Sequence, residues 1–375
     1  STRYYVYITP LVTENSYGTE IDVSDYVEFN GIGAVKRSLD SNDYDIGAYV
    51  YNDIDLKVVN ENGYFNEESD GRSIFRHSRD LAKVRIAFEN EDGQTITFRG
   101  IISDEATRLD TKTDKITFRV LSKDSIVRTS RVSGGSVAAD SSVKTAIFSI
   151  LNVPRITAVL NVSLANINPD LNFTIDVGSE FDDKPVKEAL SSLLFTSNSV
   201  MVIDASDNVI IRSRDEDETN PVLNLYGPFD LKRRQNVIEM FDYNSGKHRT
   251  FTSVLVNDTE RSLNAYVDAY GFRQKQIELD YITDANTEAL IANRIMNEFK
   301  VPKIECAIRV PTYVARDVNL LDRVSVSWPL RITPAGKFFP IIGVTKIGDT
   351  DSPLPYSFGS IVIEPNVKFK VIEIK

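Results

Sequence analysis

FTIDVGSEFDDKPVKEALSSLLFTSNSVMVIDASDNVIIRSR, residues 173–214, changes its apolar period midway, and that change decides how the chain is divided. Val186, Leu190, Leu193 and Leu194 recur at helical spacing behind Pro185, which suits a first helical turn because its missing N–H has no intrahelical partner there. Past Ser199 the pattern alternates on both sides of Ser206-Asp207-Asn208, a composition that turns a chain. A helix leading into a hairpin predicts a small α+β unit. The residues before it agree: in SSVKTAIFSIL, Val143, Ile147 and Ile150 or Leu151 share one helical face, with Asp140 or Ser141 as N-cap. Gly134-Gly135 in RVSGGSVAADSS reads as a linker and RDEDETN as a polar closing run, which sets this module at residues 132–217.

On either side the period is two. YYVYIT, GAYVYNDIDLKVV, KVRIAFEN, TITFRGII and KITFRVLS are rich in β-branched and aromatic residues, with turn chemistry at Asp92-Gly93 and in DTKTDK. They predict a barrel-like domain over residues 1–131. After the module, TSVLVN, AYVDAY, QIELD, IECAIRV, DRVSVSW, FFPIIGVTKIG, GSIVIEP and KFKVIEI read as strands of a second barrel-like domain over 218–375. This region carries one inserted helix. In DYITDANTEALIANRIMNEFKVPKIECAIRVP, residues 280–311, Asp284 is the N-cap and Leu290, Ile291, Ile295, Met296 and Phe299 form an apolar stripe opposite Glu288, Asn293, Arg294 and Asn297. Pro302 forbids continuation, and the short connection predicts that the stripe lies on the sheet carrying Cys306, Ile308 and Val310, as a brace. The fold class is therefore mainly β with an α+β insertion: two barrel-like β domains flanking a small α+β module. No tandem repeat is visible, which excludes solenoids and propellers.

At 375 residues the chain has room for two or three domains. Its 43 basic and 54 acidic residues give a net charge of −11 with both signs scattered, against a protein built to grip phosphate backbones. Lys232-Arg233-Arg234, the densest basic run, reads as a solvated or interface face. One cysteine, Cys306, excludes an intrachain disulfide and argues against a cysteine zinc site; it alternates with polar neighbours and reads as a small buried hydrophobe. His77 and His248 are the only histidines and leave few parts for His-based chemistry.

Two carboxylate clusters, Glu180, Asp182 and Asp183, then Asp215, Glu216, Asp217 and Glu218, are the candidates for a two-carboxylate hydrolase. Both lie in polar runs beside element ends, where carboxylates cap helices and solvate loops. DASDN lacks the twelve-residue calcium frame, and GIGAV at Gly31 holds only two of the glycines of a dinucleotide loop. Trp328 is in phase with Val324 and Val326 and reads as core, not as a sugar-binding platform. These readings predict no catalytic residue, no cofactor and no metal. The first residues lack a signal-peptide pattern, and no stretch reaches the ~20 apolar residues of a membrane span, so assembly in the cytoplasm is expected.

Residues 173–214, the helix-to-strand segment 280–311 and VNLLDRVSVSWP, residues 318–329, together resemble the baseplate hub family of contractile-tailed bacteriophages, the T-even-like and Mu-like tail hubs, related to siphophage tail-tip proteins and to type VI secretion spike proteins. Two positions depart from that pattern: Leu321 stands before Asp322 where the family usually has Gly, and Asn208 occupies a hairpin-turn position where Gly is common. The resemblance implies a structural virion protein, not an enzyme: a homotrimeric ring whose two barrel-like domains per chain adapt the six-fold tail tube to a three-fold central spike around the DNA channel. Implied partners are tail tube or tube-initiator proteins, the central spike protein and the tape measure protein, with DNA only in transit. The chain ends at KFKVIEIK without a fused oligonucleotide-fold, lysozyme or fibre domain, which in this family implies a separate spike. Two alternatives stand beside this: a hexameric distal tail ring protein, and a cell-wall polysaccharide hydrolase.

Overall fold

Alternation of apolar residues converts directly into the first core. The computed structural model describes residues 3–14, 16–33, 35–39, 50–66, 71–89, 95–204, 206–213, 223–226, 235–237, 239–244, 250–300, 305–311, 323–327, 337–347 and 366–372. Eight strands of the large sheet come from the first region: β1 (Arg3–Thr9), β2 (Ile21–Asp22), β3 (Val27–Ile32), β4 (Val35–Leu39), β5 (Val50–Val59), β6 (Lys83–Glu89), β7 (Thr95–Asp110) and β8 (Lys115–Leu121). Every second residue points inward, among them Val6 and Ile8 of β1, Ile54, Leu56 and Val58 of β5, and Ile116, Phe118 and Val120 of β8. Phe65 and Phe75 close this core from loops, each meeting Phe118 edge-on at 5.8 and 6.0 Å between ring centroids.

The middle of the chain supplies helices α1 (Val143–Leu151) and α2 (Val186–Thr196) and the hairpin β9 (Ser199–Ile203) and β10 (Val209–Ser213). The faces read from the sequence are the buried ones: Val143, Ile147, Ile150 and Leu151 on α1, Val186, Leu190, Leu193 and Leu194 on α2. The N-cap of α1 is Ser142, whose hydroxyl accepts from the Thr145 amide at 3.2 Å, and not Asp140 or Ser141. The expected linker is packed against the module. Val132 and Val137 are buried, and a Cβ on Gly178 would lie 2.1 Å from the Val137 carbonyl, so only glycine lets this segment pass.

Beyond the module follow β11 (Leu223–Tyr226), β12 (Glu239–Asn244), β13 (Ser253–Val256), β14 (Thr259–Ser262), α3 (Asn264–Tyr270), β15 (Gln274–Ile277), α4 (Ala285–Phe299), β16 (Glu305–Pro311), β17 (Arg323–Ser327), β18 (Lys337–Ile347) and β19 (Asn366–Ile372). AYVDAY, expected as a strand, is helix α3: Tyr266 and Tyr270, four apart, stack at 6.3 Å, and Gly271 ends the helix at φ 78°. The strand expected at GSIVIEP lies outside the described residues.

One 14-stranded sheet joins the two ends of the chain. Its path runs β12-β16-β19-β18-β4-β5-β8-β7-β6-β1-β2, with β3 beside β5 and β17 bridging β18 and β11. The junction is the antiparallel pair β18–β4, with Val344 opposite Arg37. The architecture is thus mainly β with helices inserted, as the alternation implied.

Helix α4 departs from its expected place in two ways. Its buried residues are Glu288, Ile291, Ala292, Ile295, Met296 and Phe299, while Leu290, expected on the apolar stripe, is 42% exposed. Glu288, expected outward, is only 7% exposed and fills the stripe position four residues before Ala292. Second, α4 packs on β13 and β14, and its apolar residues share one core with α1, α2, Val254 and Val256. The expected support, the strand carrying Cys306, Ile308 and Val310, is not its described neighbour. The reason is polar: Asn257 and Thr259 at the β13–β14 turn donate to the Glu288 carboxylate at 2.9 and 2.5 Å, which rotates the buried face onto that small sheet.

Candidate assembly surfaces

In the first of the two carboxylate clusters, Asp182 and Asp183 tie loops together. The Asp182 carboxylate accepts from the Gly135 amide at 2.7 Å, and the Asp183 carbonyl accepts from Arg131 at 2.7 Å, with Asp183 itself exposed at φ 58°. Glu180 sits in the short 3-10 turn Gly178–Phe181. Asp215, Glu216, Asp217, Glu218, Lys232, Arg233, Arg234, His248 and Trp328 lie outside the described residues, as does the side chain of Cys306. His77 is half-buried.

In the β9–β10 turn, the Asp204 carboxylate accepts from the Ser206 amide (2.7 Å), the Asn208 amide (2.9 Å) and the Asn208 side chain (2.8 Å). Those bonds, that of the Asn208 side chain first, hold its carboxyl below the usual range. The donors are protein groups, so the loop is an Asx-type turn in place of a cation cage. Among the described residues no three His, Cys, Asp or Glu side chains are grouped to hold a metal ion. Gly31 has a packing role: a Cβ there would lie 2.6 Å from the Lys57 carbonyl and 2.8 Å from that of Glu28, where β3 bulges against β5.

What remains for function is surface, and the strand edges differ in how they are finished. The edge of β11 is covered by the segment at Asn236: its carboxamide accepts from the Tyr226 amide at 2.6 Å and donates to the Asn224 carbonyl at 2.7 Å, and the Asn236 and Val237 amides both donate to the Tyr226 carbonyl at 3.2 Å. β7 is bent out of line, because residues 104–107 stand opposite Phe118 alone. On β1, the Val6 amide donates to the Ser24 hydroxyl at 2.9 Å and its carbonyl accepts from Val23 at 2.8 Å. β15 is open. Its parallel partner β13 takes the carbonyls of Arg273 and Ile277, so the main-chain groups of Gln274 and Gln276 point the other way, without a described strand beside them.

Besides Val12, Leu164 and Leu290, the exposed large apolar side chains among the described residues fall into two places. Phe29 (61% exposed) lies on β3, with Val59 and Leu109 at the ends of β5 and β7. Leu263 and Phe272 (62% exposed) flank α3, which has no buried residue. The outer face of the first region is otherwise charge-paired: Arg119 to Asp55 at 2.9 Å and to Asp53, Lys115 to Glu28, and Arg85 to Glu20 at 2.6 Å while stacking on Tyr7 at 3.9 Å. Exposed pairs of this kind contribute little to stability, about 0–1 kcal/mol each.

No family model and no curated protein matches the sequence. Solved structures do match, end to end. A tail protein from Neisseria meningitidis MC58 superposes with a TM-score of 0.62 at 12% identity, over 99% of this chain and 96% of that one. The chain has the fold of a phage tail protein. The 43 kDa tail protein of prophage MuSo2 from Shewanella oneidensis gives a TM-score of 0.54 at 10% identity, covering 98% and 97%. A structure of the Francisella PdpA–VgrG complex gives 0.56 at 9% identity; all of this chain is covered, and it spans 53% of that one. Identities this low establish shared architecture, and the tail-protein fold is what the three quoted stretches of sequence resemble.

Proposed function

We propose that the chain is a structural hub subunit of a phage-type tail, assembled as a homotrimeric ring that adapts a six-fold tube to a three-fold spike. The observation that carries this reading is the end-to-end superposition on two tail proteins, with neither chain leaving a substantial part unmatched. In this reading the strand sets of residues 1–131 and of the region after 218 act as the two ring-forming domains of each protomer, so three chains present six similar surfaces to the tube. The module of residues 132–217, joined by α4 and the β13–β14–β15 sheet through their common core, spaces the two sets. Unsealed edges such as β15 and the exposed Phe29 and Phe272 serve contacts with neighbours in the tail. A net charge of −11 suits a ring around passing DNA, since a wall of that sign does not retain phosphate. Location in the virion tail, and a non-enzymatic role, follow from the same reading.

The test is the mass of the ring assembled with its tube protein. Three copies of this chain are expected; six copies make it a distal tail ring protein instead. Turnover of purified cell wall that disappears on Asp183→Ala or Glu216→Ala refutes the non-enzymatic part.

A further inference from the structure

The β9–β10 turn reaches out of its own module. Asp207, at φ 65°, sends its carboxylate to the ammonium of Lys123 and lies 4.0 Å from that of Lys83, both of which belong to the strand-built first region and its exit. The turn is stiff. Asp204 holds it from within, and Asn161 holds it from outside: its amide donates to the Asp207 carbonyl at 2.8 Å, its side chain donates to the Ser206 carbonyl at 2.9 Å, and its carbonyl accepts from Val209 at 2.9 Å. The receiving side is also fixed. Lys83 lies over the Tyr17 ring at 4.2 Å, and the Tyr17 hydroxyl donates to the Leu81 carbonyl at 3.1 Å. Burial, then the charge of Asp207, push the Tyr17 hydroxyl up to about 12, and burial lowers Lys123 in spite of its partner.

We infer that the β9–β10 turn is a plug that sets the angle between the first strand region and the central module. Apolar contact across this junction, through Leu81, Ile101 and Leu121, supplies attraction without direction. A charge pair does the reverse. The Lys123 side chain is 8% exposed, and desolvating its ammonium consumes most of what the pair returns, so an apolar residue there would serve stability at least as well. The pair makes physical sense as a register device: a carboxylate on a rigid turn meets two ammonium groups in only one orientation.

The experiment measures the angle on the isolated chain, independent of any assembly. Cys306 is replaced by Ser, spin labels are placed at exposed Val12 and Leu164, one in each part, and electron-spin distance distributions are recorded. The parent gives one narrow distance. Asp207→Asn, which keeps a residue tolerant of positive φ, broadens it into several, and so does the double variant Lys123→Met/Asp207→Asn, whose thermal midpoint returns to within a few degrees of the parent. A narrow, parent-like distance in the double variant overturns the proposal, whether or not the single variant folds. A broad distribution with an intact midpoint supports it, since loss of packing alone would move both.

Discussion

Replacing Glu288 by Ala tests the orientation of α4 more sharply than any apolar change. Its carboxylate accepts from the Asn257 side chain at 2.9 Å and from the Thr259 hydroxyl at 2.5 Å, inside a helix face that is otherwise apolar. Hydrogen bonds to a charged group are worth about 1.5–3 kcal/mol each. The Asn257 side-chain amide still donates to the Leu279 and Ile282 carbonyls at 3.2 and 3.1 Å, so its own loss is small. Thr259 loses its described acceptor, and removing a buried charge returns part of its desolvation cost. The net expectation is a destabilisation of roughly 1.5–3 kcal/mol, mostly from Thr259. Glu288→Gln keeps both contacts, because a hydroxyl can accept as well as donate, and should cost about 0.5–1.5 kcal/mol. Leu290→Ala, on the outward face, should stay within about 0.5 kcal/mol of the parent. Urea titrations read out by amide exchange within Ala285–Phe299 report this helix and not the distant strands. A parent-like midpoint for Glu288→Ala combined with an early midpoint for Leu290→Ala would mean that the helix presents the other face, and the packing argued here would be wrong.

Three further outcomes follow from the same geometry. Ile295→Ala, at a fully buried position between α4 and the small sheet, should cost roughly 2–5 kcal/mol, measured by thermal unfolding. Asp204 has a lowered carboxyl, so the stability it confers is present above the ordinary carboxylate value of ~3.9 and is lost as pH falls through the lower folded value; Asn208 amide exchange should rise there, and Asp204→Asn should abolish the pH dependence. Asn236→Ala should remove both side-chain hydrogen bonds to the β11 edge, so sedimentation at high concentration should show self-association that the parent lacks.

Periodicity carried the elements further than it carried their assembly. The alternating runs of the first region, the faces of α1 and α2 and the hairpin about Asp207 are where the apolar spacing put them, because burial of every second or every third-to-fourth residue is a local property of the chain. Asp284 caps α4 as read, accepting from the Thr287 amide at 2.9 Å. The misreadings share a different cause. AYVDAY contains strand-forming residues but folds as a helix whose side chains find no core, so no alternation is enforced on it. From sequence Glu288 reads as outward, because a carboxylate on a stripe is costly unless donors meet it, and those donors lie 29 and 31 residues away on a turn. The composition around Gly134-Gly135 is that of a linker, whereas Gly178 admits the segment against the module from far along the chain.

The same distinction decides how the parts are held together. Helix α4 reaches the central module through polar groups as well as apolar ones: Asp176 accepts from the Thr283 and Asp284 amides at 2.6 and 3.0 Å, capping the helix from a segment 107 and 108 residues earlier. At the other end Arg294 lies over Phe195 and donates to Asn198 at 2.7 Å, and Asn198 in turn donates to Asp170 at 2.8 Å. Tyr281 buries its ring beside Phe181 while its hydroxyl meets Ser192 at 2.9 Å. Apolar area alone would let such a helix slide or rotate on its neighbours at little cost, since attraction of that kind has no preferred direction. Three polar contacts at the two ends of a 15-residue helix leave one position in which all are satisfied at once. Because α4 is followed within a few residues by β16 of the large sheet, that single position also fixes where the strands of the chain's last third begin. The helix is therefore a brace, and it acts between the central module and the second strand set, not within the second set alone.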